Sequence, residues 1–279
     1  MSVPQGRNGY ISINGTTVRA FGIGIMSPRN IQAPLDIGST WQSNYTEGIQ
    51  GARVVASINM RRSTAGSSAL AFWNLFTGRT FSGGQDDTSA FPLVVATGKK
   101  VRSWANCKAE AFTITLRKGQ VVGVQTVFLC PGIAAVSDPI GMDDYGTQAD
   151  TSSPLPFDAG IVTGIANGCY GLEIGFANNH MPDAPLDGTK TIASWDAGPM
   201  TCTAAVTVKE YDADTPPIAD GGAISLTLNL GGSDTRIFSL ASFVPENPRD
   251  TDIAPAAQIL QTWRGTVFGT ATVPPLVIS

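Results

Sequence analysis

One histidine and four cysteines carry most of this chain's capacity for nucleophilic or soft-metal chemistry. His180 is the sole imidazole, so a Ser-His-Asp or Cys-His mechanism would have to use it as the base. It lies in Asn178-Asn179-His180-Met181-Pro182, a loop-like stretch, and no G-x-S-x-G elbow occurs in the chain. The stretch predicts a surface loop histidine, not a catalytic base. Cys107, Cys130, Cys169 and Cys202 are spaced 23, 39 and 33 apart, with no C-x-x-C pair to suggest a zinc ribbon or a thioredoxin-like site. Four reduced, mostly buried thiols are expected, with a disulfide open to a protein that matures outside the cell.

Other chemical motifs start and then break off. Gly22-Ile23-Gly24 lacks the third glycine and the following helix of a dinucleotide fingerprint. Gly98-Lys99-Lys100 has Leu93 where a P-loop needs its first glycine, and no Ser or Thr after the lysine. Asp212-Ala213-Asp214 opens like a calcium loop, but Pro217 stands at the glycine position. Asp86-Asp87 and Asp143-Asp144 have the oxygens for a hard cation, yet exposed acidic turns account for them as well. No catalytic, cofactor-binding or metal-binding residue is assigned, and the expectation is a protein that is not an enzyme.

The elements available to position side chains are mainly β. Val54–Met60, Ala111–Leu116, Val121–Leu129, Thr203–Lys209, Ala223–Leu230 and Thr235–Val244 alternate apolar and polar residues or run β-branched, as strands do. Arg117–Gln120 and Gly231–Asp234 are turn sequences between consecutive strands. From Thr64 to Thr77 the period changes. Ala69, Phe72, Trp73 and Phe76 recur at i, i+3, i+4 and i+7, the stripe of a helix, with Ser63 or Thr64 to cap its start and Gly78 to end it. The stripe serves either packing on the chain's own sheet or a subunit contact, and the two are compatible.

The composition narrows the partners. Of 279 residues, 42% are apolar, enough for a core, but only 14% are charged, against the usual quarter. Glycine (31) and proline (18) are plentiful, as a turn-rich chain requires. A net charge of −4 argues against phosphate binding, which needs clustered Lys and Arg. The longest apolar run, Val121–Val136, is interrupted by Gln125, Pro131 and two glycines, so no membrane helix is expected. The first residues lack a basic region followed by an apolar one, which predicts no secretory leader. Scarce surface charge suggests a surface covered by neighbours.

A repeat organises the chain. Ala33-Pro34-Leu35-Asp36 recurs as Ala184-Pro185-Leu186-Asp187, each followed by a tryptophan (Trp41, Trp195), a glycine turn (Gly48, Gly198) and a strand, Val54–Ile58 or Ala204–Val208. Phe112–Leu116 then aligns with Ile224–Leu228, and a proline closes each copy (Pro131, Pro245). One β-unit duplicated, the second copy lacking the helix and the Gly-rich loop after it, explains both alignments. The expected organisation is an N-terminal arm (1–20), a first β-unit with the helix (21–135), a linker (136–167), a second β-unit (168–270) and a C-terminal arm (271–279).

The strand–helix–loop order of Val54–Thr77, the strand pairs around Arg117–Gln120 and Gly231–Asp234, and the turn from Trp41 to Gly51 resemble the tail tube proteins of long-tailed bacteriophages. The resemblance covers most of the chain and rests on pattern without a diagnostic motif. It implies tail-tube-like β-sandwich or barrel units, two per chain, with one flanking helix at about 64–77. It further implies homotrimeric or homohexameric rings that stack into a tube, bind other tail proteins and pass DNA without specific binding. The protein would belong to the virion, after synthesis in the host cytoplasm, and not to a membrane. Two units per chain would imply the trimer, although the missing second helix departs from a clean duplication. In that setting Ala69, Phe72, Trp73 and Phe76 are candidates for a subunit-interface helix. Asp86, Asp87, Glu110 and Asp234 are candidates for acidic residues of the lumen. The two other readings are a capsid-decorating or other trimeric virion β-protein, and a glycan-binding adhesin using Trp41, Trp73, Trp104, Trp195 or Trp263.

Overall fold

The computed structural model describes residues 10–26, 31–32, 46–47, 51–62, 66–82, 85–96, 100–132, 134–137, 152–166, 168–183, 192, 194–209, 218–246, 250–252, 260–270 and 272–279. The chain opens with β1 (Tyr10–Ile13), β2 (Thr16–Val18), β3 (Ala20–Met26), β4 (Ile31–Gln32), β5 (Thr46–Glu47) and β6 (Gly51–Asn59). Helix α1 (Leu70–Thr77) follows, then β7 (Arg79–Ser82), β8 (Gln85–Thr88), β9 (Phe91–Ala96), β10 (Val101–Arg117), β11 (Gly123–Pro131) and β12 (Ala135–Ser137). The remainder comprises β13 (Gly160–Thr163), β14 (Cys169–Ala177), β15 (Met181–Asp183), β16 (Ser194–Asp196), β17 (Thr201–Lys209), β18 (Gly222–Gly231), β19 (Asp234–Pro245), β20 (Asp250–Asp252), β21 (Leu260–Phe268) and β22 (Leu276–Ile278).

The fold is mainly β. Its long path runs β13-β18-β19-β21-β17-β14-β10-β11-β6-β3, antiparallel at every step. Period-2 alternation gives this sheet one buried face. Val54, Ala56 and Ile58 of β6, Phe112, Ile114 and Leu116 of β10, Leu172, Ile174 and Phe176 of β14, and Leu226 and Leu228 of β18 all point into it. β10 is long enough to serve two surfaces. Its first residues pair with β9 and β12, and after bulges at Trp104/Cys107 and Ala109/Ala111 its last residues pair with β11 and β14.

α1 packs on the buried face. Trp73 stands edge-on to Phe112 of β10 and to Phe238 of β19, with ring centroids 5.1 Å away in both cases. Phe76 contacts Phe112 and Phe128. One helix therefore supplies the aromatic centre for strands from both halves of the chain.

Several expectations change at this level. The helical stripe is shorter than 64–77: a 3-10 turn at Gly66–Ser68 precedes α1, whose N-cap is Ala69, with no side-chain cap hydrogen bond. Ser63 and Thr64 lie outside the described residues. Gly78 ends the helix at φ −78° rather than in the left-handed region, its N–H donating to the Asn74 carbonyl at 2.8 Å. The ends read as arms are core strands where they are described. β1 pairs with β9 and buries Ile11 and Ile13, while β22 pairs with β19 and buries Leu276. β22 pairs with a strand more than thirty residues away, so no local signal marks it, whereas β1 also forms a hairpin with β2 across the positive-φ turn Asn14-Gly15, a local signal that sequence reading passed over. The linker is also partly core: Leu155 is fully buried and β13 joins the sheet beside β18.

The two halves do not repeat one topology. The first runs β3-β6-β11-β10, whereas the second runs β14-β17-β21-β19-β18, with β21 inserted. Consequently β6 is parallel to β10 while its aligned counterpart β17 is antiparallel to β18. The halves are joined strand to strand by β10 and β14, from Ala111 opposite Ala177 to Arg117 opposite Gly171. Ala33–Asp36 and Ala184–Asp187 lie outside the described residues.

Candidate functional site

The face of the sheet opposite the core carries one continuous row without charge. One row crosses eight strands as Gly22, Ser57, Gln125, Thr113, Gly175, Thr203, Thr266 and Val244, each directly opposite the next. Every member is half-buried or exposed, and none is ionisable. A neighbouring row, Asn59, Gly123, Thr115, Glu173, Ala205 and Arg264, holds one acid and one base two strands apart. The uncharged row is hydrated and offers a polyanion no positive charge, while Arg53, Arg117, Lys209 and Arg264 stand exposed in other rows of the same face. The threonines also brace the face, as Thr207 Oγ1 and Thr262 Oγ1 share a hydrogen bond at 2.9 Å across β17 and β21.

The path ends in two strands with only one partner each among the described residues, β3 and β13. Neither carries a charge or a proline, and each exposes large apolar side chains, Phe21 and Met26 on β3 and Ile161 on β13. Open edges of this kind invite strand pairing, and isolated soluble proteins usually protect them with charge.

A second cluster lies where β10 bulges. His180, expected on the surface, is instead buried, its side chain wholly covered. Its Nδ1 is 2.6 Å from Glu110 Oε2, its backbone N–H donates to the same oxygen at 3.1 Å, and its Nε2 is 3.0 Å from Thr88 Oγ1. Lys108 Nζ donates to the Thr88 carbonyl. Beside it, buried Asn178 donates from Nδ2 to the carbonyls of Phe76 and Ala109, both at 2.9 Å, and accepts from Arg79 Nη2 on Oδ1 at 2.8 Å. These bonds pin the end of α1, the start of β7 and the end of β14 to the bulge in β10. Burial pushes the Glu110 carboxyl up, but the hydrogen bonds and charge of His180, with Arg53, hold it below its ordinary value.

Hydroxyl, imidazole and carboxylate are connected here as in a nucleophilic triad. The resemblance ends at access, because Thr88 is only 2% exposed and no substrate carbonyl can approach its Oγ1. The cluster is a buried polar network, satisfied by its own members.

The candidate residues therefore separate. Phe72, Trp73 and Phe76 are buried in their own chain's core, and of α1 only Leu70, Ala71 and Asn74 are exposed, with Ala69 half-buried at the start. Glu110 faces His180, whereas Asp234 is exposed at the β18–β19 turn. Asp86 and Asp87 lie on β8, opposite Phe81 and Thr80. Asp143, Asp144, Asp212 and Asp214 lie outside the described residues. Among the described residues no group of three His, Cys, Asp or Glu side chains gathers as metal ligands, and no helix is long and apolar enough to cross a membrane. The chain matches no family model and no curated protein.

Sequence reading missed Thr88, Lys108 and Asn178. No local signal marks them, since Glu110 and His180 are seventy residues apart and meet only through the β10–β14 pairing.

Proposed function

We propose that this chain is a structural virion subunit that self-assembles into stacked rings, forming the tail tube of a bacteriophage and a conduit for DNA during ejection. The observation that carries the reading is the uncharged row across eight strands, on a sheet ending in two uncharged, singly paired edges. Pairing β3 of one copy with β13 of the next removes both edges. Ten strands alternating in direction let that junction continue the antiparallel pattern under a rotation about an axis along the strands. The Thr, Ser, Gly and Gln row then faces the bore, where it offers phosphate no charge to hold it.

No catalytic step belongs to this reading. The single imidazole is committed to Glu110 and Thr88 inside the fold. The unequal strand orders of the two halves remove the internal pseudo-symmetry from which a three-chain ring would draw six-fold geometry, so six chains per ring are expected. Sugar-binding platforms need exposed indoles; Trp73, Trp104 and Trp263 are buried, Trp195 is half-buried, and Trp41 lies outside the described residues.

The test is electron microscopy of the purified protein together with its solution mass. Stacked rings of six chains support the reading in full. Rings of three keep the tube and restore a role for internal duplication. A discrete trimer that never forms tubes favours a capsid-decorating protein, and a glycan-binding monomer favours an adhesin.

A further inference from the structure

Cys107 and Cys130 lie on adjacent strands at the centre of the sheet. β10 and β11 pair with Lys108 opposite Leu129, which sets Cys107 opposite Cys130 one residue further along. Both are completely buried and both are free thiols, and the neighbouring Cys130 is one of the causes that raise the Cys107 thiol. Residues directly opposite in an antiparallel pair have Cα atoms about 4.5–5.5 Å apart, inside the range of about 4.4–6.8 Å that a disulfide spans. The other cysteines are engaged elsewhere. Cys169 Sγ donates to the Gly171 carbonyl at 3.1 Å, and Cys202 on β17 stands opposite Phe176 and Val267.

We propose that Cys107 and Cys130 form a closable cross-strand dithiol, converted to a disulfide when the chain folds in the presence of a small organic disulfide such as oxidised glutathione. One thiolate attacks the oxidant and releases one glutathione thiol. The second cysteine then attacks the mixed disulfide and releases the other. The two protein thiols lose two electrons and two protons, and one glutathione disulfide becomes two glutathione thiols.

Burial sets the timing. In the closed sheet β9 covers Cys107 and β6 covers Cys130, Phe91 and Ala52 being their outer neighbours. Burial also pushes the Cys107 thiol far above its ordinary value, leaving it without the reactive thiolate. The exchange belongs to the open chain, so the folded protein preserves the redox state of the compartment in which it folded.

The experiment refolds the full chain from denaturant, once with glutathione disulfide and once with dithiothreitol, then quenches with acid, alkylates under denaturing conditions and maps peptides. The oxidised sample should lose two of its four alkylatable thiols and yield one linked peptide joining Cys107 to Cys130, lighter by two hydrogens. A Cys169→Ser/Cys202→Ser double variant, which leaves only the proposed pair, should give the same linkage. Thiols that stay fully alkylatable, glutathione adducts without an internal link, or a link through Cys169 or Cys202 in the wild type would overturn the proposal. So would rapid closure when the already folded protein meets the same oxidant.

Discussion

Trp73 meets Phe238 edge to face, with 5.1 Å between ring centroids and 89° between ring planes. The first belongs to α1 and the second to β19, so this contact ties the helix of one half of the chain to the sheet of the other. Phe112 takes the opposite contact with Trp73, again at 5.1 Å. Both halves close over this single helix, and no second α-helix occurs among the described residues of the later half.

Trp73→Ala should therefore cost about 3–5 kcal/mol, the usual range for emptying a large aromatic site in a core. Denaturant unfolding gives the value, and Trp73→Phe should recover part of it. A loss below about 1 kcal/mol would mean that the aromatic centre is not what joins the halves.

Glu110 makes stability depend on acidity. Its folded value lies below the unfolded carboxylate's, about 4.3. The contribution is thus complete above the unfolded value and is lost as pH falls through the folded one. Melting of wild type and Glu110→Gln should differ most near neutrality, by about 1–3 kcal/mol for the lost charged partner. The gap should close on acidification below pH ~4. A gap independent of pH would show that the ionised carboxylate is not the group His180 relies on.

Gly78 is held by proximity and not by its backbone angle. A Cβ there would lie 2.5 Å from the Asn74 carbonyl oxygen, the acceptor that closes α1. Gly78→Ala should destabilise the fold by roughly 1–3 kcal/mol through the displaced helix end. Hydrogen exchange should show the loss of protection concentrated in Asn74–Gly78.

Charges placed on the open edges separate folding from assembly. Phe21→Lys and Ile161→Lys replace side chains that are 71% and 61% exposed. Each should leave monomer stability within about 0.5 kcal/mol of wild type and abolish rings in electron micrographs. Tubes formed normally by both variants would rule out β3 and β13 as the seam.

The uncharged row can be tested by spoiling it. Gln125 and Thr203 are both exposed, so Gln125→Arg/Thr203→Arg should fold normally. The variant should retain duplex DNA at low salt and release it as salt rises, whereas wild type should not retain it. Equal retention by both would remove the argument that this face is shaped to let phosphate pass.

What the amino-acid sequence determined by itself was local. Alternation at Phe112–Leu116 and Ile224–Leu228, the turns at Arg117–Gln120 and Gly231–Asp234, and the stripe through Phe72, Trp73 and Phe76 each report a period set by neighbouring residues. Those signals yield a mainly β protein with one helix. They do not identify which strand lies beside which, because alternation is the same whatever the partner. Tertiary structure alone decided that β21 separates β17 from β19, that Leu276–Ile278 is a core strand beside β19, and that Glu110 meets His180 inside the fold. The Cys107–Cys130 pair stands between these cases. It follows from counting outward from the Arg117–Gln120 turn, provided the bulge at Ala109/Ala111 is included. A bulge inserts one residue into one strand only, so the register beyond it depends on how the sheet bends over its core and not on the sequence of the turn.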